Sequence, residues 1–485
     1  MKILKMLFIA AIAGGLSTSC FEDRDDNTIA DTDVNDFVWK GMNAVYLYKA
    51  EKPDLADDRF TNSSDYLNYI FSYDTPESLF ENLIHERATV DRFSWITDDY
   101  IALQQQLNGV SKSNGLEYNF YFVPGSTSEI FGIIKLVLNN SVADDLGLQR
   151  GQLFTAVDGV TLTENNVSAL LNQDTYTLNF ADYNDNGTTD DTSDDSIAIN
   201  NTTSSLTKTA YTENPVHLTE VIDLGGENLG YLMYNGFTAD FNSQLNDAFA
   251  EFAANNIQHL VLDLRYNPGG SVNTAALLGS MITGNFTGEV FSKLEYNDNL
   301  QANNTNYNFT TTFDGNTINS VNLNKIYVLT TGRTASASEM IINSLSEYIN
   351  VVQIGSTTTG KSQASITIYD SPTFTTEDIN PSHTYAMQPL VAISVNVNDG
   401  QVPATGLVPT LGFDKNENYL NFGVLGDVNE PLLATAIADI QASNGRVPTH
   451  TTQQAVAPIK TNVNRKAFDD NMYIDIETAP QFSRD

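Results

Sequence analysis

From about residue 219 to about residue 440 the chain alternates short apolar runs with segments of helical spacing. In order these read LGYLMYNGF, FNSQLNDAFAEFAANN, HLVLDLRY, SVNTAALLGSMIT, KIYVLTT, SASEMIINSLSEY and VVQIGST. Such βαβ alternation predicts an α/β core with mostly parallel strand pairing. At 485 residues the chain is too long for one small core, so two to four domains are expected. Apolar residues make up 41% of it, with 22 Tyr and 25 Phe, which is ample for packed interiors. Ahead of the core, residues 36–105 carry helical periodicity. VWKGMNAVYLYKA places Val38, Met42, Val45, Tyr46 and Tyr48 at helical spacing, and SLFENLI follows Pro76 as a capped short helix. This segment predicts a small helical domain, with Trp39 and Trp95 as core residues. Residues 106–215 are β-rich, 216–445 form the α/β core, and 446–485 read as a polar tail.

The first residues say where the chain goes. Lys2 and Lys5 precede an apolar run from Met6 to Leu16, followed by small residues and Cys20, the one cysteine in the sequence. A basic start, a short apolar stretch and a small-residue cleavage site describe a signal peptide over residues 1–19, too short to span a bilayer. Leu16-Ser17-Thr18-Ser19-Cys20 resembles a bacterial lipobox, which implies lipidation of Cys20 and a membrane-anchored lipoprotein. Residues 20–35 are then an acidic tether, and Glu22, Asp23, Asp25 and Asp26 resemble the export signal of surface lipoproteins in Bacteroidetes-type bacteria. The expected location is the cell envelope, at the outer membrane and its surface. A balance of 60 acidic against 24 basic residues, net −36, repels phosphate backbones and excludes nucleic acid as a natural partner.

Within 106–215, a strand opening on Phe131-Gly132-Ile133 is followed by a short helix at Ala143–Leu148 and by Gln152–Val157 running into an Asp158-Gly159 hairpin turn. A second helix, Asn166–Leu171, completes an order that resembles a PDZ domain. The resemblance implies a groove in which Phe131, Gly132 and Ile133 add a substrate segment as an extra strand. Asp182 to Asp195 interrupts the domain. Its oxygen side chains alternate as in a calcium loop, but Ser193 stands where a bidentate Glu belongs, so a solvated hairpin tip is expected and no metal.

Three pieces of the core carry chemistry. HLVLDLRYNPGG, residues 259–270, is a strand ending in a Gly-Gly turn; KIYVLTTGRTASASEM brings Ser336 to the start of a helix; VVQIGSTTTGK delivers Lys361. A serine at a strand-to-helix turn projects its hydroxyl where backbone N–H groups converge. LDLRYNPGG, TASASE and the Gly360-Lys361 pair, in that order and spacing, resemble peptidase family S41, the C-terminal processing or tail-specific proteases. GYLMYNGF, PATGLVPTLGF and LLATAIADI extend the resemblance over roughly residues 36–440. It implies a ClpP/crotonase-like peptidase core, no cofactor, and protein or peptide substrates. It also implies Ser336 as nucleophile, Lys361 as general base, and an oxyanion held by backbone N–H of Ala337 and of Gly269 or Gly270. An exposed lysine, with pKa about 10.4, is protonated at neutral pH, so Lys361 must be desolvated to act.

The chain departs from the family pattern where a Gln often orients the base. That position is Ser365 here, and Gln363 lies two residues after Lys361, so either side chain is a possible base-orienting group. A branch with histidine as base is not matched: His85, His217, His259, His383 and His450 lie outside such a motif, and DRFSW carries Arg92 where a His could sit. Asp263 and Arg265 read as charges that fasten neighbouring loops. Two functions follow: a serine peptidase, or a catalytically silent S41 scaffold serving as a PDZ peptide-binding module.

Overall fold

The computed structural model describes residues 31–188, 194–442, 458–461, 463, 469–475, 478–480 and 482–484. Cys20 and the expected signal peptide lie outside them. The helical start comprises α1 (Asp31–Val45), α2 (Ser63–Ile70) and α3 (Pro76–Leu83). The start of α3 is fixed by Thr75 and Ser78, whose side chains each accept the other's backbone N–H, with Pro76 at the first turn. Val34, Phe37, Val38, Met42 and Val45 form the buried stripe of α1, packing with Leu79, Phe80 and Leu83 of α3. The same apolar cluster continues into core residues such as Leu232 and Phe249, so these helices share the interior of the core. Helix α4 (Tyr100–Leu107) follows.

A five-stranded antiparallel sheet comes next: β1 (Leu116–Phe122), β2 (Ile130–Val137), β3 (Leu153–Val157), then α5 (Val167–Asn172), β4 (Thr175–Asn184) and β5 (Ser196–Thr207), paired in chain order. The turn after β3 has Asp158 and Gly159 both at positive φ, 51° and 76°, the conformation a two-residue hairpin requires. The sequence expectation for Phe131, Gly132 and Ile133 fails here. All three are buried within β2, with Gly132 paired to Phe120 on one side and Phe154 on the other. A strand hydrogen-bonded along both edges has no free backbone groups for an incoming strand. A hollow of about 680 Å³ in this region is lined instead by Arg150, Leu153, Phe180, Tyr183 and Tyr419 among others.

The core contains two sheets. Strands β6 (Val216–Asp223), β7 (Asn228–Tyr234), β8 (His259–Asp263), β10 (Lys325–Thr330) and β11 (Asn350–Gly355) form one, with all neighbours after β6 parallel. Between them run α6 (Asn242–Ala254), α7 (Val272–Thr283), β9 (Val290–Tyr296) and α8 (Ala337–Leu345). Leu232, Leu260, Leu262 and Val328 face α6, α7 and α8; Tyr231, Met233, Val261, Tyr327 and Leu329 face α9 (Pro431–Ala442). Alternate residues thus fill two apolar layers, the arrangement of a sheet covered on both faces. The second sheet contains Gly270–Ser271, β12 (Gln363–Ser365), β13 (Leu390–Val395), β9 and, between Gly270–Ser271 and β12, β14 (Met472–Tyr473). That last strand comes from the region read as a polar tail. Among the described residues no helix is long and apolar enough to cross a membrane.

Charges do fasten loops beneath the β8 end. Arg265, fully buried, donates to Asp263 at 2.9 Å, to Glu430 at 2.7 Å and to Glu417 at 3.1 Å. Glu417 also accepts from Arg150 at 2.7 Å and from Tyr266 Oη at 2.6 Å, which ties the five-stranded sheet to the core. Burial alone would raise the Glu417 carboxyl; Arg150 and Arg265 hold it down at about 2. Replacing one member of such a group strands the others as uncompensated charge. Arg265→Met is therefore expected to lower the stability of the core by about 3–5 kcal/mol, read from denaturant unfolding.

Candidate active site

The turn between β10 and α8 is docked onto the segment after β8 by four hydrogen bonds. Thr331 Oγ1 donates to Arg265 O, Thr334 Oγ1 to Leu264 O at 2.8 Å, and Ala335 N and Ser338 Oγ to Asn267 O at 3.2 and 3.1 Å. Held this way, Ser336 adopts φ 66° and ψ −117°, immediately before the first residue of α8. A non-glycine residue in so sparsely populated a region costs about 1–3 kcal/mol and persists only when its surroundings enforce it. Its Oγ is buried and has no hydrogen-bond partner among the described residues. An unsatisfied buried hydroxyl is a further cost of about 1–3 kcal/mol.

Lys361 sits in the loop between β11 and β12 and is fully buried. Its Nζ donates to Asn471 Oδ1 at 2.8 Å and lies 4.8 Å from the centre of the Phe93 ring. Burial strips the ammonium of water and pulls its pKa down to about 7, against the attraction of Asp470, Asp91 and Glu339; Arg92 pushes it the same way as burial. Arg92 is fixed by donating to Gly360 O at 2.6 Å. The DRFSW segment thus packs against the base, with a cation where a His was considered. His259 pairs with Glu227 and His383 with Asp370, and neither is bonded to Ser336.

Glu339 joins these two segments. One carboxylate oxygen accepts Ser336 N–H at 2.8 Å and Lys361 N–H at 2.9 Å; the other accepts Gly360 N–H at 2.7 Å and the Thr358 hydroxyl. Burial raises its pKa above the ordinary carboxylate value, with those four donors pulling the other way. Sequence reasoning passed over this residue, although Ser336-x-x-Glu339 has the spacing of an N-terminal helix box.

Of the expected oxyanion donors, Gly269 is already engaged, its N–H donating to Asn267 Oδ1 at 2.9 Å. Gly270 and Ala337 directly follow Gly269 and Ser336 in the chain, and Gly270 pairs with Met472 in the second sheet. Both glycines need to be glycines: φ is 109° at Gly269 and 136° at Gly270, and a Cβ on Gly270 would lie 2.3 Å from Phe237 O. The expected base-orienting groups are not in place. Gln363 Nε2 donates to Tyr48 Oη at 3.1 Å and Ser365 Oγ to Met472 O at 3.1 Å, so neither reaches Lys361. Two residues apart, they would share a face of a regular strand, but the register of β12 shifts between Ala364 and Ser365, and Asn471 takes the amine instead. At the Asp182–Asp195 hairpin, Asn186 Nδ2 donates to Asp194 at 2.7 Å, and among the described residues no cluster of His, Cys, Asp or Glu could hold a metal ion.

The model of peptidase family S41 matches residues 228–372, and that of the peptidase S41 N-terminal domain matches residues 33–95. Both matched segments make the chain similar to peptidase family S41. A solved Bacteroides fragilis structure assigned to the S41 proteases is similar over 84% of this chain and 97% of that one, at 26% identity and TM-score 0.67. A Staphylococcus epidermidis protein described as a "probable CtpA-like serine protease" is 26% identical over 176 residues. That match spans 34% of this chain and 34% of the relative. The mixed helix-and-sheet, multidomain architecture resembles that of S41 proteases.

Glu339→Ala would leave Ser336 N–H, Gly360 N–H and Lys361 N–H without an acceptor. Each unsatisfied buried donor costs about 1–3 kcal/mol, so the expected loss is about 3 kcal/mol or more, seen as a lower unfolding midpoint, while Glu339→Gln recovers part of it.

Proposed function

We propose that this chain is a serine endopeptidase that cleaves exported proteins, or their C-terminal segments, through a Ser336/Lys361 dyad. Neutral Lys361 accepts the Ser336 hydroxyl proton as Oγ bonds to the substrate carbonyl carbon. Backbone N–H groups of Gly270 and Ala337 stabilise the oxyanion. The C–N bond then breaks, the leaving amine takes the proton from Lys361, and an acyl-enzyme remains. Water adds in the same way, its proton passing to Lys361 and from there to Ser336 Oγ as the ester C–O bond breaks, which releases the acid product and restores both side chains.

The observation that carries this reading is the pairing of two costly features in one family-matched site. A serine with strained backbone and an unsatisfied hydroxyl is bound by one carboxylate to a fully buried lysine whose pKa has fallen to about 7. Neither feature serves stability, and each serves acyl transfer. The motif resemblance of LDLRYNPGG, TASASE and Gly360-Lys361 supports C-terminal processing as the biological task. Under the same reading, residues 36–105 are the N-terminal helical domain, 106–215 a PDZ domain and 216–445 a ClpP/crotonase-like core. Cys20 then anchors the protein by lipid in the cell envelope.

Covalent labelling by a fluorophosphonate probe tests the nucleophile directly: labelling is expected in the wild type and absent in Ser336→Ala. Equal cleavage of an unstructured protein by these two chains would overturn the reading. Lys361→Arg keeps the charge but raises the pKa, and is expected to reduce kcat/KM by roughly 10³-fold or more. Because the base works only when deprotonated, kcat/KM should rise with pH through about 7 and level off above it. A profile flat from pH 5 to pH 9 would exclude Lys361 as the base.

A further inference from the structure

Removing β14 from the second sheet would leave a slot between Gly270–Ser271 and β12, since that strand pairs with both. Two ladder spacings of roughly 4.8 Å make the slot one strand wide. One wall is the Gly269-Gly270 turn beside Ser336, and the other begins two residues after Lys361. An extended peptide added there would cross the site between nucleophile and base.

The slot is filled by the chain itself. On one side Ile474 N donates to Ser365 O at 3.0 Å and Ser365 Oγ to Met472 O. On the other side Gly270 pairs with Met472. Phe237 already takes Gly269 O and Ser271 N–H, which leaves Gly270's own N–H and carbonyl for this pairing. In a parallel ladder that N–H reaches the carbonyl preceding its partner, which is the carbonyl of Asn471. Steric geometry agrees: a Cβ on Gly269 would lie 2.8 Å from Asn471 O and 3.0 Å from Ser336 Oγ, so the two oxygens share one small space. The Asn471 side chain meanwhile holds Lys361 Nζ at 2.8 Å, and Ser336 Oγ is left unpartnered.

The segment is fastened before and after the slot. Asp469 accepts from Arg333 at 3.0 Å, Ser271 Oγ donates to Asp475 at 2.6 Å, and Tyr473 Oη donates to Phe237 O at 3.2 Å. Farther on, Arg484 is bound to Asp370 and to Asp36, the latter at 2.7 Å. Asn471, Met472, Tyr473 and Ile474 are all buried.

We propose that Asn471–Ile474 is a resident occupant of the substrate slot, lying in a substrate's register and engaging Lys361 through Asn471, so that the folded chain is self-inhibited. An extended peptide of another protein enters when this segment leaves. The inference rests on the Ser336/Lys361 reading, and the experiment separates the two. A chain stopped after residue 468 is compared with the full chain for fluorophosphonate labelling of Ser336 and cleavage of an unstructured protein. Both rates are expected to rise about tenfold or more, as the competent fraction rises. A synthetic peptide of residues 469–485 should return them toward the full-chain values. Should the shortened chain not fold, the full chain carrying Asn471→Ala and Met472→Gly decides by the same criterion. A folded shortened chain that labels and cleaves no faster, unaffected by the peptide, would overturn the inference and leave the peptidase reading standing. Calorimetric binding of the peptide to the shortened chain, with no labelling or cleavage in any form, would uphold the occupied slot as a peptide site but overturn both self-inhibition and the peptidase.

Discussion

The Glu339 carboxylate joins the two pieces of chain that leave the adjacent parallel strands β10 and β11. Ser336 comes from the turn after β10, and Gly360-Lys361 from the loop after β11; both donate backbone N–H groups to it. A hydroxyl or amide at this position could not accept so many bonds, since a carboxylate offers four lone-pair sites. Three of its bonds come from backbone N–H groups, so they fix where the chain runs without engaging the Ser336 hydroxyl or the Lys361 amine. Everything else near the site, from the Thr334 bond to Leu264 O to the Arg92 bond to Gly360 O, adjusts this joint or braces it.

How much of this could be read from the chain depends on whether the signal was local. The parallel core was legible because strands covered on both faces are apolar without interruption, as in Leu229–Tyr234 and Leu260–Leu262. The turn carrying Ser336 was legible because its neighbours repeat a motif. The partner of Lys361 was not: Asn471 reaches it from 110 residues away, in a segment whose composition reads as a polar tail. Polar residues there are buried because they pair with sheet edges and with Lys361, a reason that exists only after folding. Phe131, Gly132 and Ile133 failed for a related cause, since an apolar run does not say whether a strand lies at the edge of a sheet or inside it. Gly269 and Gly270 are alike in the sequence, and the bond from the Gly269 N–H to Asn267 Oδ1 exists only once the turn has folded.

Beneath the site, the buried charges Arg150, Glu417, Arg265, Asp263 and Glu430 serve a different end. Buried ion groups are weak evidence for stability, but they fix relative position strictly, because any shift exposes an unpaired charge to an apolar interior. Here Arg150 lies in the turn before β3 and Arg265 in the segment after β8 that docks the nucleophile's turn, and they share Glu417. The sheet is therefore registered against the core by charge as well as by apolar contact.

The slot beside Ser336 is bounded by backbone on both sides. A space one strand wide admits a single extended chain whose own N–H and C=O groups are unspent. A helix is too thick for it, and a strand already paired in a sheet has one edge taken. What such a slot selects first is the absence of secondary structure, before any side chain is consulted. Protection from it is then a matter of folding: a protein is safe while its segments are paired, and exposed when they are not.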